Sequence, residues 1–222
     1  MLDYFSLNRL SSPLIKIRSH FAIEARKKMF DLFNQVIQPA ATSHILDLGV
    51  TPEQTLPESN LFENLYPYKH NITAASIEDA CFLEDIYPRM KFVQITDSSL
   101  PFENNEFDIV FCSAVIEHVG DQNTQQAFAK EALRVSKKFF FTTPNRQFPI
   151  DFHTMLPIIH WLPQSKHQWI LSKLGYDFWA KTENLNLLTP QTLLNLFPSQ
   201  TSTLYKYRLF GLPSNLILYG TK

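Results

Sequence analysis

Phe107-Asp108-Ile109-Val110-Phe111-Cys112-Ser113 is nearly continuous in apolar residues, and Glu117 and His118 follow shortly after it. A strand covered on both faces reads this way, whereas a strand with one wet face alternates. Working outward, the same pattern predicts strands over His44–Leu48, Ile72–Ala75, Phe92–Ile95 and Lys138–Thr142. Helices are predicted between them, over about 59–65, over Ile77–Ile86 and over Asn123–Val135. A longer helix is predicted over 13–37, where Ile17, Phe21, Ala25, Met29, Phe33 and Ile37 recur near helical spacing. Pro13 suits its first turn and Pro39 stops it. Strands alternating with helices imply an α/β fold, doubly wound on a mostly parallel sheet with helices on both faces.

After the fifth strand the alternation breaks. Residues 144–184 are rich in proline and aromatics, among them Phe148, Phe152, Trp161, Trp169 and Trp179, and read as a helical insertion. Alternation resumes with a helix over Pro190–Phe197, N-capped by Thr189. A hairpin of Thr203–Phe210 and Asn215–Thr221 follows, turning at Gly211-Leu212-Pro213-Ser214. The whole chain, 1–222, reads as one domain. Its parts are an N-terminal helix (13–38), a core (43–143), the insertion (144–184), and a C-terminal helix with its hairpin (185–222).

Composition narrows the function. The 222 residues are 45% apolar and 18% charged, as in an ordinary globular protein, and the formal net charge is −1. That balance supplies no field to attract nucleic acid, so no nucleic-acid partner is expected. Lys16, Arg18, Arg26, Lys27 and Lys28 read as a solvated helix face. The two cysteines support neither a disulfide framework nor a thiolate metal site. No secretory signal and no transmembrane segment are evident, which favours a cytoplasmic protein. Five glycines are few for a chain that cradles a pyrophosphate. A nicotinamide-dependent oxidoreductase, which needs a Gly-rich turn after its first strand, therefore ranks low.

Ligands of open parallel sheets bind outside the carboxyl ends of the strands. Those ends are rich in polar groups here: Asp47-Leu48-Gly49, Ser76-Ile77-Glu78, Thr96-Asp97-Ser98, and Ser113 through Glu117-His118. In this order and spacing the chain resembles the class I, Rossmann-like S-adenosylmethionine-dependent methyltransferases, in particular their type 11 group. Ile45-Leu46-Asp47-Leu48-Gly49 is similar to that family's first motif. Ile95-Thr96-Asp97-Ser98-Ser99-Leu100-Pro101-Phe102 is similar to its adenine-contacting motif, and Ser113-Ala114-Val115-Ile116-Glu117-His118-Val119 to the segment after its fourth strand.

The resemblance implies a seven-stranded sheet with an antiparallel last strand, and S-adenosyl-L-methionine as cofactor. It implies cofactor contacts from Asp47, Gly49, Ser76, Ile77, Glu78, Asp97, Ser98, Ser113 and His118. Two departures stand out. Val50-Thr51-Pro52-Glu53 replace the further glycines of the first motif, and the place of the ribose-binding acid falls on Ser76. Ser76 is too short to accept from both ribose hydroxyls, so Glu78 is the expected substitute.

Methyl transfer needs alignment above all, because the sulfonium methyl is already activated. An oxygen acceptor also needs help in losing its proton. His153 and Asp151 in the insertion are the candidate catalytic residues, ahead of His160 and His167. No metal-ligating spacing is present, so no metal is expected. The expected acceptor is a small molecule, a sugar or a lipid-linked molecule beneath the insertion, methylated at oxygen. The alternative is a catalytically weak or inactive protein of the same fold, acting as a binding or partner subunit. A homodimer is compatible with either reading.

Overall fold

The computed structural model describes residues 12–97, 99–198 and 201–222. In chain order the elements are α1 (Ser12–Ile37), β1 (Ile45–Leu48), α2 (Leu61–Leu65), β2 (Ile72–Ser76), α3 (Phe82–Ile86), β3 (Lys91–Gln94) and β4 (Phe107–Ser113). They continue with α4 (Gln122–Val135), β5 (Ser136–Pro144), α5 (Gln164–Lys173), α6 (Pro190–Asn195), β6 (Thr201–Leu209) and β7 (Leu212–Thr221). One seven-stranded sheet runs in the order β3-β2-β1-β4-β5-β7-β6. The first five strands are parallel to their neighbours, and β7 lies antiparallel between β5 and β6. The sheet expected from the sequence is thus present, antiparallel strand included.

The pleat explains the two-sided core. Along β4 and β5, Ile109, Phe111 and Phe140 face one way, and Val110, Cys112, Phe139 and Phe141 the other. The first set packs against α1, where Phe33 meets Phe62, Phe111 and Phe140 edge-on, each with ring centroids 5.4 Å apart. The second set packs against Leu133 of α4 and Leu193 of α6. With apolar surface needed on both sides, a half-polar strand would leave buried groups unpaired.

Several boundaries differ from expectation. The helix expected over Ile77–Ile86 is only α3, because Asp79 turns the chain by accepting from the Cys81 amide. The hairpin turns at Phe210-Gly211, both with positive φ, so Pro213 lies within β7. The insertion holds one ten-residue helix, α5, a single 3-10 turn over Ile159–Trp161, and otherwise bends and turns. It is less helical than expected, and it has a small core of its own around Leu171, Trp179 and Leu185. Thr189 does cap α6, accepting from the Thr192 amide. Among the described residues, both cysteines are free and no helix is long and apolar enough to cross a membrane.

Candidate functional site

The sheet order reverses between β1 and β4, which opens a crevice at their carboxyl ends. A cavity of about 850 Å³ occupies it. Asp47, Gly49, Ser76, Ile77, Glu78, Asp97, Ser113, His118 and His153 all line it, although they come from five separate stretches of chain. Ser98 lies outside the described residues. Asp151 is not on the wall.

Two backbone features shape the floor. Gly49 has φ +103°, and a Cβ there would fall 2.2 Å from the Val115 side chain. Any larger residue would meet both strain and collision. Directly across, Ala114 takes φ +57°, so the chain leaves β4 by a sharp left-handed turn. That turn leads into a short 3-10 segment, Ile116–His118. Glu117 and His118 therefore do not cap α4. Asp121 does, accepting from the Thr124 amide at 2.9 Å.

One group of charges was not anticipated. Arg18 and Arg26 of α1 do not belong to a solvated face; both line the cavity. Arg18 pairs with Glu58 at 3.0 Å, Ser19 donates to the same carboxylate at 3.1 Å, and Arg26 donates to the Glu58 carbonyl. Asp47 faces Glu63, and both are buried. Burial, and then the neighbouring Glu63, push the Asp47 carboxyl well up; burial likewise raises Glu63. Both carboxyls therefore favour the protonated form more than free acids do. Arg26 is lowered by burial, against the pull of Glu58, Glu117 and Asp47. The signal was present in the spacing: Arg18, Ala22 and Arg26 border the apolar stripe of α1.

A second group is built of imidazoles. Glu117 is fully buried; its Oε2 accepts from Thr143 at 2.9 Å, and its Oε1 has no hydrogen-bond partner. Burial raises its carboxyl. His118 donates from Nδ1 to the Asn184 carbonyl at 2.6 Å, which leaves Nε2 as the lone-pair nitrogen. Burial, aided by the charge of His153, pushes His118 down to about 3. His153 bonds through Nδ1 to Asp151 at 2.9 Å. Burial acts to lower His153, but the bond to Asp151 and its charge prevail and raise it. Asp151 is 3% exposed and also accepts from the His153 amide and from Thr154. Burial acts to raise Asp151; the His153 and Thr154 contacts outweigh it and hold the carboxyl far below the usual range. The His118 and His153 rings meet edge-on at 4.9 Å, and each lies against Trp179, at 5.7 and 5.1 Å.

These positions bear on the catalytic candidates. Asp151 sits behind His153 with its oxygens occupied, so it orients the imidazole rather than acting as a base. His160 is buried and bonded through Nε2 to the Phe148 carbonyl, and together with His167 it lies away from the main cavity. Ile77 is 73% exposed and offers an apolar surface at the rim. Glu78 also reaches the wall, two residues past Ser76.

Residues 59–139 match the family model described as a methyltransferase domain. Over that stretch the chain is similar to methyltransferase domains. Solved methyltransferases share its fold at low identity. Magnesium protoporphyrin IX methyltransferase from Synechocystis is 10% identical, with 96% of this chain and 89% of that one covered and a TM-score of 0.57. The N-methyltransferase NodS from Bradyrhizobium japonicum is 11% identical, with coverages of 88% and 86% and a TM-score of 0.52. A methyltransferase from Methanosarcina mazei is 16% identical, with coverages of 81% and 92% and a TM-score of 0.53. No curated protein sequence matches the chain. The matched residues take in β2 to β4, α4 and the first four residues of β5.

Proposed function

We propose that the chain transfers a methyl group from S-adenosylmethionine to an oxygen of a small-molecule, sugar or lipid-linked acceptor. The observation that carries this reading is the single cavity at the carboxyl edge, lined together by Asp47, Gly49, Glu78, Asp97 and His153. Its volume is in the ~300–1,000 Å³ range of cofactor and ligand sites. The methionine part of the donor lies over Gly49, where backbone can approach closely, and its ammonium faces Asp47. Glu78 accepts from the ribose hydroxyls in place of Ser76. Asp97 contacts adenine, which rests on Ile77. Ser98, Ser113 and His118 complete the donor contacts.

The acceptor enters beneath the insertion, against Phe152, Phe178 and Trp179. These rigid apolar groups suit a ligand with an apolar face and exclude water from the transfer. His153, held by Asp151, presents Nε2 to the acceptor and assists loss of its proton. Residues 144–184 open and close as a cover with their own small core.

Titration calorimetry with S-adenosylmethionine and S-adenosylhomocysteine tests the reading: folded protein that binds neither is a partner subunit, not an enzyme. Asp97→Ala is expected to weaken donor binding about tenfold, the loss of one exposed charge-assisted hydrogen bond. An unchanged dissociation constant would remove Asp97 from the site. With an acceptor in hand, His153→Ala is expected to lower kcat by at least 100-fold while leaving donor affinity in place.

A further inference from the structure

We propose that Glu117, His118 and His153 form a binding site for a divalent first-row transition cation. One candidate ligand atom from each of Glu117, His118 and His153 lies within 4.8 Å of the others, and Glu117 Oε1 is 3.9 Å from His118 Nε2. The separation of neighbouring ligands around an ion with bonds near 2.1 Å is about 3–3.5 Å, so the three draw together by roughly an ångström on binding.

The outer atoms make the case. Each side chain is tied on its far side and free on its near side. Thr143 holds Oε2 of Glu117, the Asn184 carbonyl holds Nδ1 of His118, and Asp151 holds Nδ1 of His153. Metal-bound histidines are oriented in this way, with the second nitrogen donating to a carbonyl or carboxylate. The near side of Glu117 has a buried oxygen with no hydrogen-bond partner among the described residues. A buried carboxylate oxygen left unpaired is costly, and a cation satisfies it. Two imidazoles and one carboxylate select a transition ion such as zinc or manganese rather than calcium or magnesium, which prefer all-oxygen sites. Three protein ligands leave coordination positions open toward the cavity, as in sites that bind a reactant.

The proposal deepens the proposed function, on which its chemical role rests. The cation lowers the pKa of an acceptor hydroxyl that it binds. The acceptor O–H bond then breaks with its proton passing to solvent. The oxygen forms a bond to the methyl carbon as the C–S bond breaks, its electron pair going to sulfur to give S-adenosylhomocysteine. The lone pair of His153 Nε2 serves the proton or the cation, one at a time, and added metal decides which route operates.

The test uses metal-stripped full-length chain and Zn²⁺, Mn²⁺ or Co²⁺ alone, with S-adenosylhomocysteine binding measured on the same preparation. One equivalent of cation is expected, with Co²⁺ giving visible d–d bands distinct from those of the aqua ion. Glu117→Gln should abolish this binding, Asp151→Asn should weaken it about 10–100-fold, and His70→Gln, on the exposed 3-10 turn before β2, should leave it unchanged. The Co²⁺ spectrum of the unaltered chain is informative even where a variant fails to fold. S-adenosylhomocysteine binding without stoichiometric metal binding overturns this proposal alone, as does metal binding that survives Glu117→Gln in folded protein. Metal binding without S-adenosylhomocysteine binding overturns the methyltransferase reading and leaves the cation site standing.

Discussion

Two groups of enclosed titratable side chains border the same cavity, and they balance their charge by different means. Around Asp47, Glu58 and Glu63 the chain supplies its own cations, Arg18 and Arg26 from α1, and burial holds the Asp47 and Glu63 carboxyls above their usual range. Around Glu117 the enclosing groups are two imidazoles whose outward nitrogens are already engaged, with the charges of His153 and Arg26 acting on the carboxylate. The first group holds its guanidinium charges within the chain, although Arg18 Nε, Glu58 Oε2 and both Glu63 oxygens have no hydrogen-bond partner among the described residues. The second presents an excess of acceptors to one point in space. The lesson is that burial alone does not mark a binding site; what matters is whether the compensating charge is part of the chain.

The largest expected effect comes from removing the built-in cation. Arg26→Met leaves Asp47, Glu58 and Glu63 without their enclosed guanidinium. It should cost ~2–3 kcal/mol in urea unfolding, below the ~3–5 kcal/mol of a fully buried pair because Arg26 faces the cavity. Unchanged stability would mean that the first group does not depend on its arginine. A smaller effect comes from pH. Asp47 and Glu63 are raised in the folded state, so the fold retains a proton that the unfolded chain has released. The associated stability is full below the unfolded carboxyl range of about pH 4 and falls as pH rises through the folded pKa, by up to ~1.4 kcal/mol per pH unit per proton. Glu63→Gln should flatten that fall, as measured by unfolding between pH 5 and 8. Parallel curves for the variant and the parent would show that Glu63 retains no such proton. The smallest effect is expected in the second group. Without metal, Glu117→Gln removes a disfavoured buried charge and should change stability by no more than ~1 kcal/mol, in the stabilising direction. A loss of several kcal/mol would show that Glu117 is already balanced, and the contrast between the groups would collapse.

The sheet was legible because burial on both faces leaves a plain mark in β4 and β5, and because polar groups at the strand ends of a parallel sheet must gather at one edge. Hence Asp47, Gly49, Glu78, Asp97 and His118 could be placed in one crevice from order alone, and all of them line it. Arg18 and Arg26 suggest a solvated face because charge on a surface helix usually lies in water. Only the crossing of α1 over the crevice turns that side of the helix inward. Glu63 lay hidden in a short helix beside Phe62, with nothing in its neighbours to announce Asp47 across from it. The cluster of Glu117, His118 and His153 joins a 3-10 turn to the insertion, and no local spacing encodes it. The insertion itself defeated periodicity, since Arg146 fixes it by donating to the carbonyls of His160 and Leu162 instead of through regular helix packing.

The placement of β7 between β5 and β6 has a bearing on how the polypeptide emerges during translation. Residues 212–221 are made after every other strand, yet they fill an interior position of the sheet. Until they arrive, β5 offers one bare edge along Lys138–Pro144, the stretch that holds Phe139, Phe140 and Phe141. An open apolar edge of this kind is a template for pairing between molecules. A nascent chain stalled before Leu212 would therefore carry most of the crevice wall, lacking Ser214 and Asn215, while remaining prone to self-association. Chaperone capture should be markedly higher for a chain truncated at residue 211 than for residues 1–222.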